Sequence, residues 1–282
     1  MWRTVTAAIV GLSLLGAGQT AAVTDAEQEE FLRTARIVKS RETDKGVTAS
    51  IRATMTNGTL THDVHIQSVD VSKPEFRARG KTEFNFRDDW RFNVAVYRID
   101  RLLGLNLVPV SIERSWRNER AAFTWWVDEV MMDEGERLKK DINPPDPACW
   151  AQQSRSLRLL DALIDNSDRN LGNTLITTNW RIWAIDHTPA FRYSNTPRNL
   201  GTIVAIDRDI LARLEALDFD TVKRSVDKYI TSTDIRNLLS RRDAIVQYFR
   251  KRGESAFFTR TDPAAGCSRP SVSLPAIGFP GA

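Results

Sequence analysis

The sequence predicts an α+β protein in two lobes, a small antiparallel sheet with one helix followed by a mostly helical half. Three observations predict it. Apolar residues alternate with strand period from Ile37 to Val71, interrupted by the hairpin pair Asn57-Gly58. The period then becomes helical from Asp88 to Leu105. Beyond Asp186 it stays helical as far as Arg252.

The elements follow in order. Asp25 to Ala35 reads as a short acidic helix or linker, so residues 23–35 are set apart as an N-terminal linker. Ile37 to Lys39, Val47 to Met55 and Leu60 to Val71 read as strands. In the helical stretch Phe92, Val94, Ala95, Val96, Ile99, Leu102 and Leu103 share the apolar spacing, and Gly104 closes it as a C-cap. Leu107 to Ile112 and Ala121 to Val130 are two further strands, which completes a first lobe over residues 36–130. Asn143-Pro144-Pro145-Asp146-Pro147 is a stiff break. Leu157 to Ile164 is a helical run, and Asn173 to Thr177 and Arg181 to Ile185 form a hairpin. Helices are expected over Arg208 to Ala216, Phe219 to Tyr229 and Ile235 to Arg252, the last capped by Thr233, giving a second lobe over residues 131–260. Residues 261–282 are rich in Pro, Gly, Ser and Ala without periodicity and read as an extended tail.

With 282 residues and 41% apolar side chains, the chain is large enough for a proper core. Arg3, the apolar run Ala7 to Gly16 and the small residues Thr20-Ala21-Ala22 read as a secretory signal over residues 1–22, cleaved after Ala22. Secretion or a periplasmic location is therefore expected, with membrane attachment only through an uncleaved N-terminal segment. The two cysteines, Cys149 and Cys267, then either form one disulfide or stay unrelated thiols. A net charge of +4 arises from interleaved bases and acids, which is a solvated mixed surface; no nucleic-acid partner is expected.

The chemistry concentrates in Asp168-Arg169-Asn170-Leu171-Gly172-Asn173, followed by Ile185-Asp186-His187. Helix, polar loop, hairpin and acidic strand end bring Asp168, Asn173 and Asp186 to one place. Phosphoryl transfer requires that set: a carboxylate beside the attacking hydroxyl, and hard oxygen donors for a divalent ion against a triphosphate. Asp168 would orient the nucleophile and take its proton. Asn173 and Asp186 would hold Mg or Mn, and Arg169 would hold a neighbouring carboxylate or phosphate. The local alternative is an Asx-rich turn followed by a capping Asp. His62 and His65 lie three apart on a strand and face opposite sides, which disfavours a zinc site. Trp125-Trp126 and Met131-Met132 fall where an interlobe hinge would lie, or are plain core.

Leu160 to Asn170 together with Ile182 to Phe191 resembles the atypical protein-kinase-like families: HipA-type kinases, type II phosphatidylinositol 4-kinases and the secreted Golgi kinases of casein-like substrates. Arg101-Leu102-Leu103-Gly104-Leu105 with Val108-Pro109 resembles the end of their first-lobe helix and the next strand. The resemblance implies a two-lobed protein-kinase-like fold that binds ATP and moves a phosphoryl or nucleotidyl group to a protein, lipid or sugar hydroxyl. It also implies a third-strand lysine and a helix glutamate paired with it. This sequence places Gln67 and Asn93 there. Two amides can hydrogen-bond each other, yet they bring no positive charge to the phosphates. Lys45 in the Asp44-Lys45-Gly46 turn, or Lys73 or Lys81 reaching in from the next loop, are candidate substitutes, and Met131 is a candidate adenine neighbour. Loss of both charges leaves a second possibility, a pseudokinase that binds a ligand or partner without turnover.

Overall fold

The structure is a computed structural model, and it describes residues 23–43, 50–78, 81–166, 169–260, 262 and 265–267. Lys45 and Asp168 lie outside the described residues, as do the expected signal segment and most of the expected tail.

The described residues open with α1 (Asp25–Thr34), the helical form of the expected helix or linker. A capping box between Thr24 and Glu27 starts the helix, and Phe31 and Leu32 bury in the core. Strands β1 (Arg36–Glu42), β2 (Ile51–Thr56) and β3 (Thr61–Gln67) follow as antiparallel neighbours. The single strand expected from Leu60 to Val71 is two elements. After β3 the chain leaves the sheet in a separate two-stranded ribbon, β4 (Asp70–Ala78) and β5 (Lys81–Asp89). Lys73 and Lys81 thus lie on ribbon strands and not in a loop.

Helix α2 (Arg91–Leu102) comes next, and Gly104 behind it adopts φ +61°. A Cβ there would lie 3.3 Å from the flexible Arg213 guanidinium, so it is the left-handed conformation that selects glycine. Asp100, fully buried, accepts from Leu107 N at 2.9 Å and turns the chain toward β6 (Ser111–Trp116) and β7 (Glu119–Trp125). These complete a five-stranded sheet in the order β1-β2-β3-β7-β6. One face of that sheet carries Ile51, Ala53, Met55, Val64, Ile66 and Phe123 into the core. Phe31 of α1 meets Trp125 of the same face edge-on at 5.5 Å.

The second lobe begins with β8 (Val130–Asp133), α3 (Glu134–Lys139) and α4 (Pro147–Ile164). Asp146 caps α4 through Ala148 N and Cys149 N, with Pro147 at the first helical position, so the helix starts ten residues before its apolar run. Leu159, Leu160, Leu163 and Ile164 are buried, each contributing roughly 1.5–3 kcal/mol. Strands β9 (Thr174–Thr177) and β10 (Ile182–Ala184) form the expected hairpin, and β9 also pairs with β8. A short β11 (Ile206–Asp207) leads to α5 (Arg208–Ala216), α6 (Phe219–Val226) and α7 (Ser232–Arg252), and β12 (Phe257–Phe258) pairs with β11 in parallel. The cap of α7 is Thr231, in a capping box with Asp234, and not Thr233. Cys149 and Cys267 are joined as a disulfide, which fastens the end of the described chain to the first turn of α4.

Candidate active site

The β9–β10 hairpin sets the geometry of the lower wall of the interlobe cleft. Thr174 pairs with Ala184, so Asn173 and Asp186 emerge at the same end. Ile185 N donates to Asn173 O at 3.1 Å and closes that end. Asn173 closes a single helical turn, Leu171–Asn173, whose start is capped by the Asn170 carboxamide. Asn173 Nδ2 then lies 3.5 Å from Asp186 Oδ2, and Thr188 Oγ1 donates to Asp186 Oδ1 at 3.0 Å. Asp186 has φ +55°, a left-handed conformation uncommon for a residue with a side chain. The surrounding bonds hold it there, so that its exposed carboxylate points out of the wall.

Arg169 does the holding. Its Nε and Nη2 bind Asp161, the latter at 2.9 Å, its Nη1 donates to Asn173 O and Ile185 O at 3.1 and 2.7 Å, and its Nη2 also meets His187 Nδ1 at 3.1 Å. All three guanidinium nitrogens are committed to the wall. Arg169, expected among the catalytic groups, is in this arrangement a positioning residue. The expectation that it would hold a carboxylate fits Asp161, on the last turn of α4. His187 is 1% exposed, and its Nε2 faces Ala184 O at 3.2 Å. With Arg169 donating to Nδ1, the ring is neutral and carries its hydrogen on Nε2. Burial first, and Arg169 second, hold its pKa well below the ordinary imidazole range.

The first lobe is bolted to this wall. Asn93 of α2, only 6% exposed, accepts from His187 N at 2.8 Å. Asp89 N donates to Thr188 O at 3.0 Å, Phe92 meets Phe191 edge-on, and Arg87 reaches across to Asp234 at 2.7 Å. Where the resemblance implies a glutamate, Asn93 grips the backbone beside Asp186 directly.

The upper wall is the other face of the five-stranded sheet. Val64 and Ile66 point into the core, so His65 and Gln67 share the opposite face by strand alternation. Gln67 is 3% exposed. His65 is held below its ordinary pKa by burial, offset in part by the Asp186 carboxylate across the cleft. His62 instead stacks on Trp125 at 3.8 Å and binds Asp128 at 2.7 Å, so the two histidines do face opposite ways. Met131 occupies an irregularity in β8 and is 40% exposed, whereas Met132 is the buried member of the pair.

Among the described residues no three His, Cys, Asp or Glu side chains converge as a metal centre. One carboxylate and one amide nevertheless fit a hard divalent ion that brings its remaining oxygen ligands with a phosphate chain. Asn173 and Asp186 are the residues that would hold it. Sequence reading missed the Asp161 brace and the Asn93 to His187 bond. A lone acid inside the apolar run Leu157 to Ile164 was the available sign of the first.

No known family profile matches the sequence, and no curated protein matches it. Solved structures do match its shape. Hydra Fam20 with sugar superposes with a TM-score of 0.60 at 14% identity, over 84% of this chain and 93% of that one. The Golgi casein kinase gives 0.60 at 12% identity, over 84% and 80%. The same kinase with Mn and ADP bound gives 0.58 at 12% identity, over 83% and 78%. At such identities the likeness is one of fold, and it establishes that this chain has an atypical protein-kinase-like fold.

Proposed function

We propose that the chain is an exported kinase-like phosphotransferase, moving a phosphoryl or nucleotidyl group from ATP to the hydroxyl of a protein or sugar. The observation that carries the reading is Asp186, held left-handed and exposed at the cleft with Asn173 beside it. Asp186 flanks no helix, so it is not the capping Asp of the local alternative. Asn173 and Asp186 would hold Mg or Mn, which when bound offsets the charge of the phosphates. Asp168 accepts the proton of the acceptor hydroxyl. Arg169, Asp161 and His187 keep the wall in register, and Asn93 ties the first-lobe helix to it. A disulfide between Cys149 and Cys267 supports export, because such bonds persist in oxidising compartments. No helix among the described residues is long and apolar enough to cross a membrane.

Gln67 and Asn93 favour a second reading, a pseudokinase that binds its ligand and turns nothing over. Thermal shift of the mature protein with ATP and Mg or Mn, wild type against Asp186→Ala, separates the two. A metal-dependent rise in Tm that Asp186→Ala removes supports the enzyme, and one that survives supports the pseudokinase. No rise at millimolar nucleotide sinks both forms of nucleotide binding.

A further inference from the structure

Gln67 leaves the cleft without its expected cation, and the sheet register shows where positive charge does stand. Arg41 of β1 lies directly opposite Arg52 of β2, and Arg52 lies directly opposite His65 of β3. Opposed residues of antiparallel strands point to the same face with Cβ atoms about 5 Å apart. The three therefore form one row on the face shared with Gln67, away from the core residues Ala53, Val64 and Ile66. Lys39, opposite Thr54, stands on that face too.

Two like charges directly opposed in a sheet are destabilising unless something compensates them. Asp63 compensates one of them. Arg52 Nε lies 2.7 Å and Nη2 2.5 Å from Asp63 Oδ2, Thr54 Oγ1 donates to Asp63 Oδ1 at 2.6 Å, and the guanidinium stacks 4.1 Å from the centre of the Trp126 ring. Arg52 is thereby fixed in orientation, and its Nη1 has no hydrogen-bond partner among the described residues. Arg41 is exposed and makes no ion pair among the described residues. The other acid on this face, Glu113, pairs with Arg120 at 2.9 Å. A net positive charge thus remains on the upper wall, facing the exposed carboxylate of Asp186 on the lower.

We propose that the row Arg41, Arg52 and His65 is a phosphate-binding subsite, which takes the phosphate chain of a nucleoside triphosphate in place of a lysine at Gln67. The proposal rests on the kinase-type reading of the cleft. A guanidinium presents two parallel N–H donors to a phosphate, and a second one beside it closes the grip. His65 adds a ring N–H from the next strand. Positive charge has moved sideways across the sheet by one and two strands.

Isothermal titration of the full chain with Mg–ATP and with inorganic tripolyphosphate tests this. Arg41→Gln and the pair Arg52→Gln/Asp63→Asn, which leaves no orphaned carboxylate, should each weaken both ligands about tenfold, the worth of a charge-assisted hydrogen bond. The affinity of Arg41→Gln should also depend less on salt than that of the wild type. The distant Lys251→Gln should bind as the wild type does. Wild-type binding that survives both arginine variants overturns the subsite while leaving the cleft reading intact. A wild type that binds neither ligand overturns both.

Discussion

The two walls of the cleft are built by opposite means. The lower wall is a set of short, irregular segments in which nearly every polar group is fixed by another: Arg169 alone ties Asp161, Asn173, Ile185 and His187 together. The upper wall is regular sheet, whose chemistry depends only on which face each residue occupies. The lower wall stores unusual backbone, with Asp165, Asp186 and Phe191 all at positive φ, and needs its braces to keep it. The upper wall keeps extended strand backbone, and its brace, Asp63, compensates the charge of Arg52 and holds no strained conformation. Geometry is thus guarded below, and charge is placed by register above.

The largest test of that contrast is chemical. Asp168→Ala and Asp186→Ala should each reduce ADP formation by about 10²–10⁴-fold, the usual worth of a positioned base, with the fold intact by circular dichroism. Turnover that persists without Asp168 would remove the lower wall from the chemistry. Next in size is the disulfide. Cys149→Ser/Cys267→Ser should lower stability by about 2–5 kcal/mol in denaturant melts, because the bond closes a loop of 118 residues and anchors α4 behind the Asp161 brace. Asn93→Ala should cost about 1–3 kcal/mol by leaving the buried His187 N–H unmatched, and Asn93→Asp, which keeps an acceptor, should cost less in the same melts. An equal loss in both would mean that the amide matters for packing and not for its bond to the lower wall.

How legible each wall is in the sequence follows from the same contrast. The meeting of Asn173 with Asp186 was legible because the two are local, joined by a hairpin whose period is plain. The ribbon of β4 and β5 was not visible, because a two-stranded ribbon has no buried face. Its aromatic residues stack on one another, as Phe76 does on Phe86, or stand exposed, as Phe84 does at 70%. Polar residues then read as loop, and Lys73 and Lys81 were placed there. The cationic row was hidden for another reason. Arg41, Arg52 and His65 lie eleven and thirteen positions apart in sequence, and only the register makes them neighbours; a slip of one residue would turn each to the opposite face.

The smallest effect sharpens the contrast through pH. His187 is neutral in the fold and accepts from Arg169, whereas in the unfolded chain it titrates near the ordinary 6.5. Its folded pKa is depressed, so below 6.5 the unfolded chain binds more protons than the folded one, and stability falls as pH falls through that window. The contribution is fully present above 6.5 and is lost toward the lower folded value. Protonation would put a hydrogen on Nδ1 facing the Arg169 guanidinium, breaking the brace from within. His187→Gln keeps one acceptor and one donor but cannot titrate. Chemical-denaturant stability followed downward from pH 6.5 should therefore fall less steeply in His187→Gln than in the wild type. His62 and His65 are present in both proteins, so the difference in slope belongs to position 187. Equal slopes would show that the buried ring contributes no proton linkage, and that the lower wall is held by the Arg169 bonds to Asp161 and the two carbonyls alone.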